Sequence, residues 1–159
     1  MAQDAVQSGF ENFVLLMYSG WRSGDNILLD AILNTLGKAG INMRSFSQRS
    51  LPTLREIAES EVRRILTGAE SPVMFLCRSD YFADVVMETA QSMGLFYGED
   101  FGVISGGHFR SSSVRKYPCV MPKMSIKEQL SQLVDILKQC MKKEDGNKTI
   151  TIEVELSKS

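Results

Sequence analysis

The chain has a single histidine and only three cysteines, Cys77, Cys119 and Cys140, in its 159 residues. One imidazole offers no ligand cluster, and the cysteines show neither a CxxC nor a Cys/His spacing, so no metal or other cofactor is expected. Cys77 lies in an apolar stretch and Cys140 near the apolar side of a helical one. Both read as small buried hydrophobes, a usage that suits a reducing cytoplasm. No apolar run approaches the roughly 20 residues that cross a bilayer. Met1-Ala2-Gln3-Asp4-Ala5 has neither the basic start nor the apolar core of a secretion signal. Excess charge of one sign is missing too. Lysine plus arginine number 18 against 19 acids, a net charge of -1, which leaves no basic footprint for nucleic acid. Enzyme signatures are lacking as well. There is no Walker A loop, no GxGxxG after the first strand (Gly20 and Gly24 do not fit) and no GxSxG elbow. The first strand is not followed by the acidic doublet of a phosphoacceptor pocket. Ser105-Gly106-Gly107 is a weak candidate for an anion-binding nest.

What is present is an alternation of strands and helices. Residues 2–8 suit a short helix ending at Gly9. Phe13 to Tyr18 (FVLLMY) is apolar throughout, as in strands buried on both faces of a parallel sheet. A helix follows from about Asp25 to Lys38, with Leu29, Ile32, Leu33 and Leu36 as its stripe. A second strand is expected at Ile41 to Ser47. Thr53 and Glu56 suit a capping box opening a helix to Thr67, with Leu54, Ile57, Ala58, Val62, Ile65 and Leu66 inward. Val73 to Cys77 is the third strand. Asp80 suits an N-cap for a helix to Met93. Phe101 to Ile104 is the fourth strand and Cys119 to Met121 a short extended piece. Ser125 and Glu128 form another capping box, opening a helix to about Lys142 with Leu130, Leu133, Val134, Leu137 and Met141 inward. Thr149 to Leu156 alternates strictly and reads as an edge strand. The implied fold is α/β: a mostly parallel sheet with helices on both faces, in one domain.

In such sheets ligands sit beyond the carboxyl ends of the strands. Tyr18, Ser19, Trp21, Arg22 and Asn26 follow the first strand. Arg78, Ser79 and Asp80 follow the third, and Ser105, Gly107 and His108 follow the fourth. An aromatic plate beside Asp, Arg and Asn suits a polar neutral ligand such as a sugar. The candidate ligand-binding set is Trp21, Arg22, Asn26, Arg78, Ser79, Asp80 and His108. Each has a plainer reading as well: Asp80 as a cap, Arg78 as a solvated charge, Trp21 as a loop anchor, His108 as a surface residue.

Several stretches together resemble the effector-binding domain of LacI/GalR-type transcriptional regulators, which has the type I periplasmic-binding-protein fold and also occurs fused to GntR-type DNA-binding domains. Ser71-Pro72 through Asp80, with Tyr81-Phe82-Ala83, is similar to "PTAIFAANDxxA". Met93-Gly94-Leu95 and Gly98 to Ser105 are similar to "GLxVPEDISVVG". Tyr117-Pro118-Cys119-Val120-Met121 stands where the family has "PPLTTV", and Ser125 to Cys140 resembles "ELGRRAVELLL". Ala5 to Val14 is similar to "AVxxLxxxGHxxIA". The departures fall on ligand contacts: Leu28 replaces the arginine of "RxxGF", Ser79 the asparagine of the Asn-Asp pair, and Gly106-Gly107-His108 the acidic end of "GFDD".

The resemblance implies that residues 1–159 form one effector-binding lobe, with a returning helix at 125–142 and a closing strand at 149–156. A second lobe and a DNA-binding domain are then expected ahead of it. It implies a cytoplasmic regulator that senses a small-molecule effector, forms a homodimer and reaches DNA through a domain outside this chain, without a membrane partner. The helix after residue 125 is expected to dock on this lobe or on a second copy. A periplasmic-type solute-binding protein is the first alternative and a small enzyme using the strand-end cleft the second. No catalysis is expected.

Overall fold

A computed structural model describes residues 1–20, 23–107, 117–141 and 152–157. The elements run α1 (Ala2–Gln7), β1 (Asn12–Tyr18), α2 (Ser23–Lys38), a 3-10 turn (Met43–Ser45), β2 (Phe46–Leu51), α3 (Arg55–Thr67) and β3 (Val73–Cys77). They continue with α4 (Asp80–Ser92), β4 (Phe101–Ser105), β5 (Cys119–Pro122), α5 (Ile126–Met141) and β6 (Val154–Ser157). The strands form one six-stranded sheet in the order β2-β1-β3-β4-β5-β6. All neighbours are parallel except β6, which runs antiparallel to β5 at the edge.

The apolar run in β1 is explained by its place inside this sheet. Phe13, Leu15 and Met17 face α1 and α2, packing with Ile32, Leu36, Met74 and Leu76. Val14 and Leu16 face the opposite side with Phe75, Phe82 and Val86 and with Ala58 and Val62 of α3. A strand covered on both faces needs both alternating sets to be apolar. Gly102 in β4 has a steric reason. A Cβ there would come within 2.5 Å of the Met74 Cε and 3.1 Å of the Phe10 ring. Cys77 and Cys119 are buried free thiols. Burial, and secondarily the charge of Asp84, pushes the Cys77 pKa up. The Cys140 side chain lies outside the described residues.

Some local expectations are corrected. The second strand begins at Phe46, not Ile41. The Asn42 side chain accepts the Arg44 N–H at 3.0 Å, closing a turn over Met43–Ser45 that displaces the strand. α3 starts at Arg55 with Leu54 as N-cap and without a capping side chain, so the Thr53–Glu56 box does not form. The Thr53 carbonyl instead accepts the Tyr81 hydroxyl at 2.8 Å, and Leu54 and Ile57 are exposed. The cap of α4 is Ser79; Asp80 is the first helical residue, its carboxylate accepting the Tyr81 N–H at 2.9 Å. The Ser125–Glu128 box does form. Glu128 accepts the Ser125 N–H at 2.8 Å, and Ser125 Oγ accepts the Glu128 N–H at 3.3 Å.

The returning helix departs most from its expected packing. Leu130, Leu133, Val134 and Leu137 are 45–56% exposed, and no described residue of α5 joins either core cluster. These four side chains are not inward; the Met141 side chain, expected inward with them, lies outside the described residues. The closing strand, expected over 149–156, is β6 at Val154–Ser157 among the described residues, and its Leu156 packs against the core.

Candidate functional site

The chain leaves β1 toward β2 on one side and returns as β3 on the other, so the order reverses across β1. Loops on the two sides of such a point diverge and leave a crevice at the carboxyl ends of the strands. A cleft of about 590 Å³ lies there, lined by Tyr18, Ser19, Gly20, Asp25, Pro52, Thr53, Arg78 and Ser79. Its size suits a small molecule. Backbone bonds hold its rim. The Ser19 N–H donates to the Leu51 carbonyl at 2.8 Å, and the Arg78 N–H to the Leu16 carbonyl at 2.9 Å.

Two side-chain contacts cross the crevice. The Tyr18 and Ser79 hydroxyls lie 2.7 Å apart, joining the ends of β1 and β3. Arg78 Nε donates to Asp25 Oδ1 at 3.0 Å, tying the end of β3 to the first turn of α2. The members of this ion pair differ in exposure: 36% of the Arg78 side chain but only 6% of the Asp25 side chain is accessible. The N-terminal end of a helix favours an acid, so Asp25 is stabilised from two directions. Tyr18 also packs against Phe82, with ring centroids 4.8 Å apart and the planes tilted by 45°.

Of the expected ligand residues, Arg78 and Ser79 line the cleft. Asp80 is buried beneath its rim, its carbonyl accepting the Tyr117 hydroxyl at 3.3 Å. Asn26 is exposed on α2 and is not among the cleft-lining residues. Trp21, Arg22 and His108 lie outside the described residues. The amides of the candidate nest are engaged elsewhere: Gly106 N–H donates to the Cys77 carbonyl at 2.7 Å and Gly107 N–H to Ser105 Oγ at 3.4 Å. Asp25, Pro52 and Thr53 are additions. Asp25 had a signal as the acid opening a helix beside a strand end. Pro52 and Thr53 were hidden by the misplaced second strand.

A second polar anchor stands beside the site. Tyr117 donates to Asp84 Oδ1 at 2.7 Å, pinning the start of β5 to α4. Burial, then the bond to Asp84, drives the Tyr117 pKa above the usual phenol range. Among the described residues no group of His, Cys, Asp and Glu is placed to hold a metal ion, and no helix is long and apolar enough to cross a membrane.

No protein-family model matches the chain, and no curated protein matches it in sequence. Solved structures do match in shape. A LacI family transcriptional regulator from Enterococcus faecium with bound ribose superposes with a TM-score of 0.78 at 12% identity, over 99% of this chain and 58% of its own. The fold is that of the LacI-family regulators. Another LacI-family regulator, from Bifidobacterium animalis subsp. lactis, gives a TM-score of 0.79 at 15% identity, over 98% of this chain and 58% of its own. The transcriptional regulator CelR in complex with cellobiose gives 0.74 at 14% identity, over 98% and 48%. The chain therefore spans about half the length of the LacI-type chains it resembles, and those neighbours are transcription regulators rather than enzymes.

Proposed function

We infer that this chain is the effector-sensing lobe of a LacI-type transcriptional regulator. The observation that carries the reading is the 590 Å³ cleft at the strand-order reversal of a LacI-type sheet. Neighbours of the same fold are named with ribose and cellobiose, which favours a small, polar, sugar-like effector here. Arg78 and Ser79 are its primary contacts, with Asp80 shaping the floor. Trp21, Arg22, Asn26 and His108 complete the proposed ligand set from the surrounding loops. No catalysis is assigned.

The span relative to the neighbours supports a two-lobed protein, with the second lobe and a DNA-binding domain supplied by sequence ahead of this one. The effector would be held between the lobes, and its preference for the closed state would shift a cytoplasmic homodimer between DNA-binding states. The uncovered leucine face of α5 supports burial against the other lobe or a second copy.

The test is to read the coding sequence upstream of Ala2 and to titrate the encoded full-length protein with ribose and cellobiose in a DNA mobility-shift assay. A helix-turn-helix or winged-helix segment followed by another lobe, with an effector-dependent shift in DNA affinity, is expected. A secretion signal followed by a lobe would instead make the protein a solute receptor. A stop codon just upstream would rule out the two-lobed mechanism.

A further inference from the structure

Resting on that reading of the cleft, we propose that its effector carries an oxyanion, a phosphate or a carboxylate, gripped by the outer edge of the Arg78 guanidinium. Among the described residues, the charges lining the cleft come from Asp25 and Arg78, and they are layered. The acid is buried and the base lies over it with 36% of its side chain open. A molecule entering the cleft therefore meets the cation. Asp25 takes only Nε; Nη1 and Nη2 form no hydrogen bond with any described residue. With Nε anchored and the backbone N–H held by the Leu16 carbonyl at 2.9 Å, that edge is pre-oriented. A planar guanidinium presenting two parallel N–H groups matches two oxygens of one anionic head group.

The remaining polar groups point the same way. In the Tyr18–Ser79 pair one hydroxyl hydrogen is spent on the other oxygen, so the accepting hydroxyl still has its own hydrogen to donate. Two carbonyls near the rim are already used, Leu51 by the Ser19 N–H and Thr53 by the Tyr81 hydroxyl. The Arg78 guanidinium edge and this hydroxyl thus give the cleft donors to offer. A neutral sugar presents hydroxyls that both donate and accept. An oxyanion presents acceptors alone.

Calorimetric titration of the chain with matched probes tests this: ribose against ribose 5-phosphate, glucose against gluconate, and inorganic phosphate alone. The expected result is that one charged probe binds about tenfold to a hundredfold more tightly than its neutral partner, the range of a charge-assisted hydrogen-bonded contact. Preference for ribose 5-phosphate with measurable phosphate binding identifies a phosphate source; preference for gluconate identifies a carboxylate. The double variant Asp25→Asn/Arg78→Gln removes both charges without stranding a buried acid, and it should abolish the preference with an unchanged circular-dichroism spectrum. Equal binding of charged and neutral probes overturns the oxyanion assignment while leaving the effector cleft intact. A preference that survives in the double variant places the anion elsewhere and also overturns it. Absence of binding by every probe, in this chain and in the full-length protein, counts against the effector reading itself.

Discussion

Strand β3 and helix α5 are both rich in large apolar residues, and the molecule uses them in opposite ways. All five residues of β3 are buried, Phe75, Leu76 and Cys77 completely. In α5 none of the described side chains is buried, and its four central aliphatics stand about half open. The strand completes a core that this chain can build by itself. The helix carries a similar apolar load on one stripe but joins neither core cluster among the described residues. A monomer rarely leaves such a stripe open without an interaction to serve. The comparison separates a core that draws on β1, β3 and β4 and reaches Tyr117 and Leu156 from a helical arm, α5, whose described side chains stay outside it.

The contrast is sharpest in mutational cost. Phe75→Ala should lose about 3–5 kcal/mol in urea denaturation through cavity formation and lost burial. Leu133→Ala, on the open stripe, should stay within about 1 kcal/mol. Equal losses would show that α5 is packed in solution and would break the comparison.

A smaller effect is expected where the lobe meets its cleft. Arg78→Ala removes one partner of the buried Asp25 carboxylate and should cost about 1–2 kcal/mol, less than a fully buried pair because Arg78 is partly solvated. The double variant Asp25→Asn/Arg78→Gln should recover much of that loss. If Arg78→Ala is neutral by thermal melting, the pair is solvated and does not join β3 to α2.

At the boundary between the two regions, Tyr117→Phe removes the bond to Asp84 and should cost about 1–2 kcal/mol, a hydrogen bond to a charged group. Hydrogen exchange should quicken at β5 more than at β3. Uniform acceleration would mean that the arm unfolds together with the lobe.

For the arm itself, Leu133→Asp should leave the melting temperature nearly unchanged but lower self-association in sedimentation experiments. If the unmodified chain sediments as a monomer at all concentrations, a second copy is not what covers α5.

The smallest effect concerns surface charge. The hydrogen bond from Arg64 is the main reason the Glu61 carboxyl titrates below its ordinary value. A depressed carboxylate stabilises the fold above its unfolded pKa, near 4.3, and that contribution is lost as pH falls through the lower folded value. For so accessible a pair the effect should be a few tenths of a kcal/mol. Comparing the pH dependence of stability between Glu61→Gln and the unmodified chain measures it; identical profiles would show that the pair contributes nothing.

The same contrast explains how much could be read in advance. β1, β3 and β4 were legible because burial on both faces demands an unbroken apolar run, and α2, α4 and α5 because a helix shows its stripe every three to four residues. The place of Arg78 and Ser79 at the cleft was legible because strand ends in such sheets face a crevice. β2 was not. Its sequence, Phe46-Ser47-Gln48-Arg49-Ser50-Leu51, has the mixed polarity of an edge strand, and only pairing with β1 identifies it. Asp80 looked like a cap because its residue type suits one. Ser79 holds that position instead, with its hydroxyl turned to Tyr18.

Local sequence determined most of the segments that become strands and helices, β2 excepted, and with them the parallel α/β architecture, because apolar periodicity records how many faces of an element are buried. The tertiary structure alone decided which polar groups meet. Asp25 and Arg78 are 53 residues apart, and Tyr18 and Ser79 are 61; only the reversal of strand order at β1 brings each pair together. It also decided that the stripe of α5 stays open, since periodicity says that a face is apolar but not what covers it. Pairing and cover depend on contacts between distant segments, and no local pattern of residues encodes them.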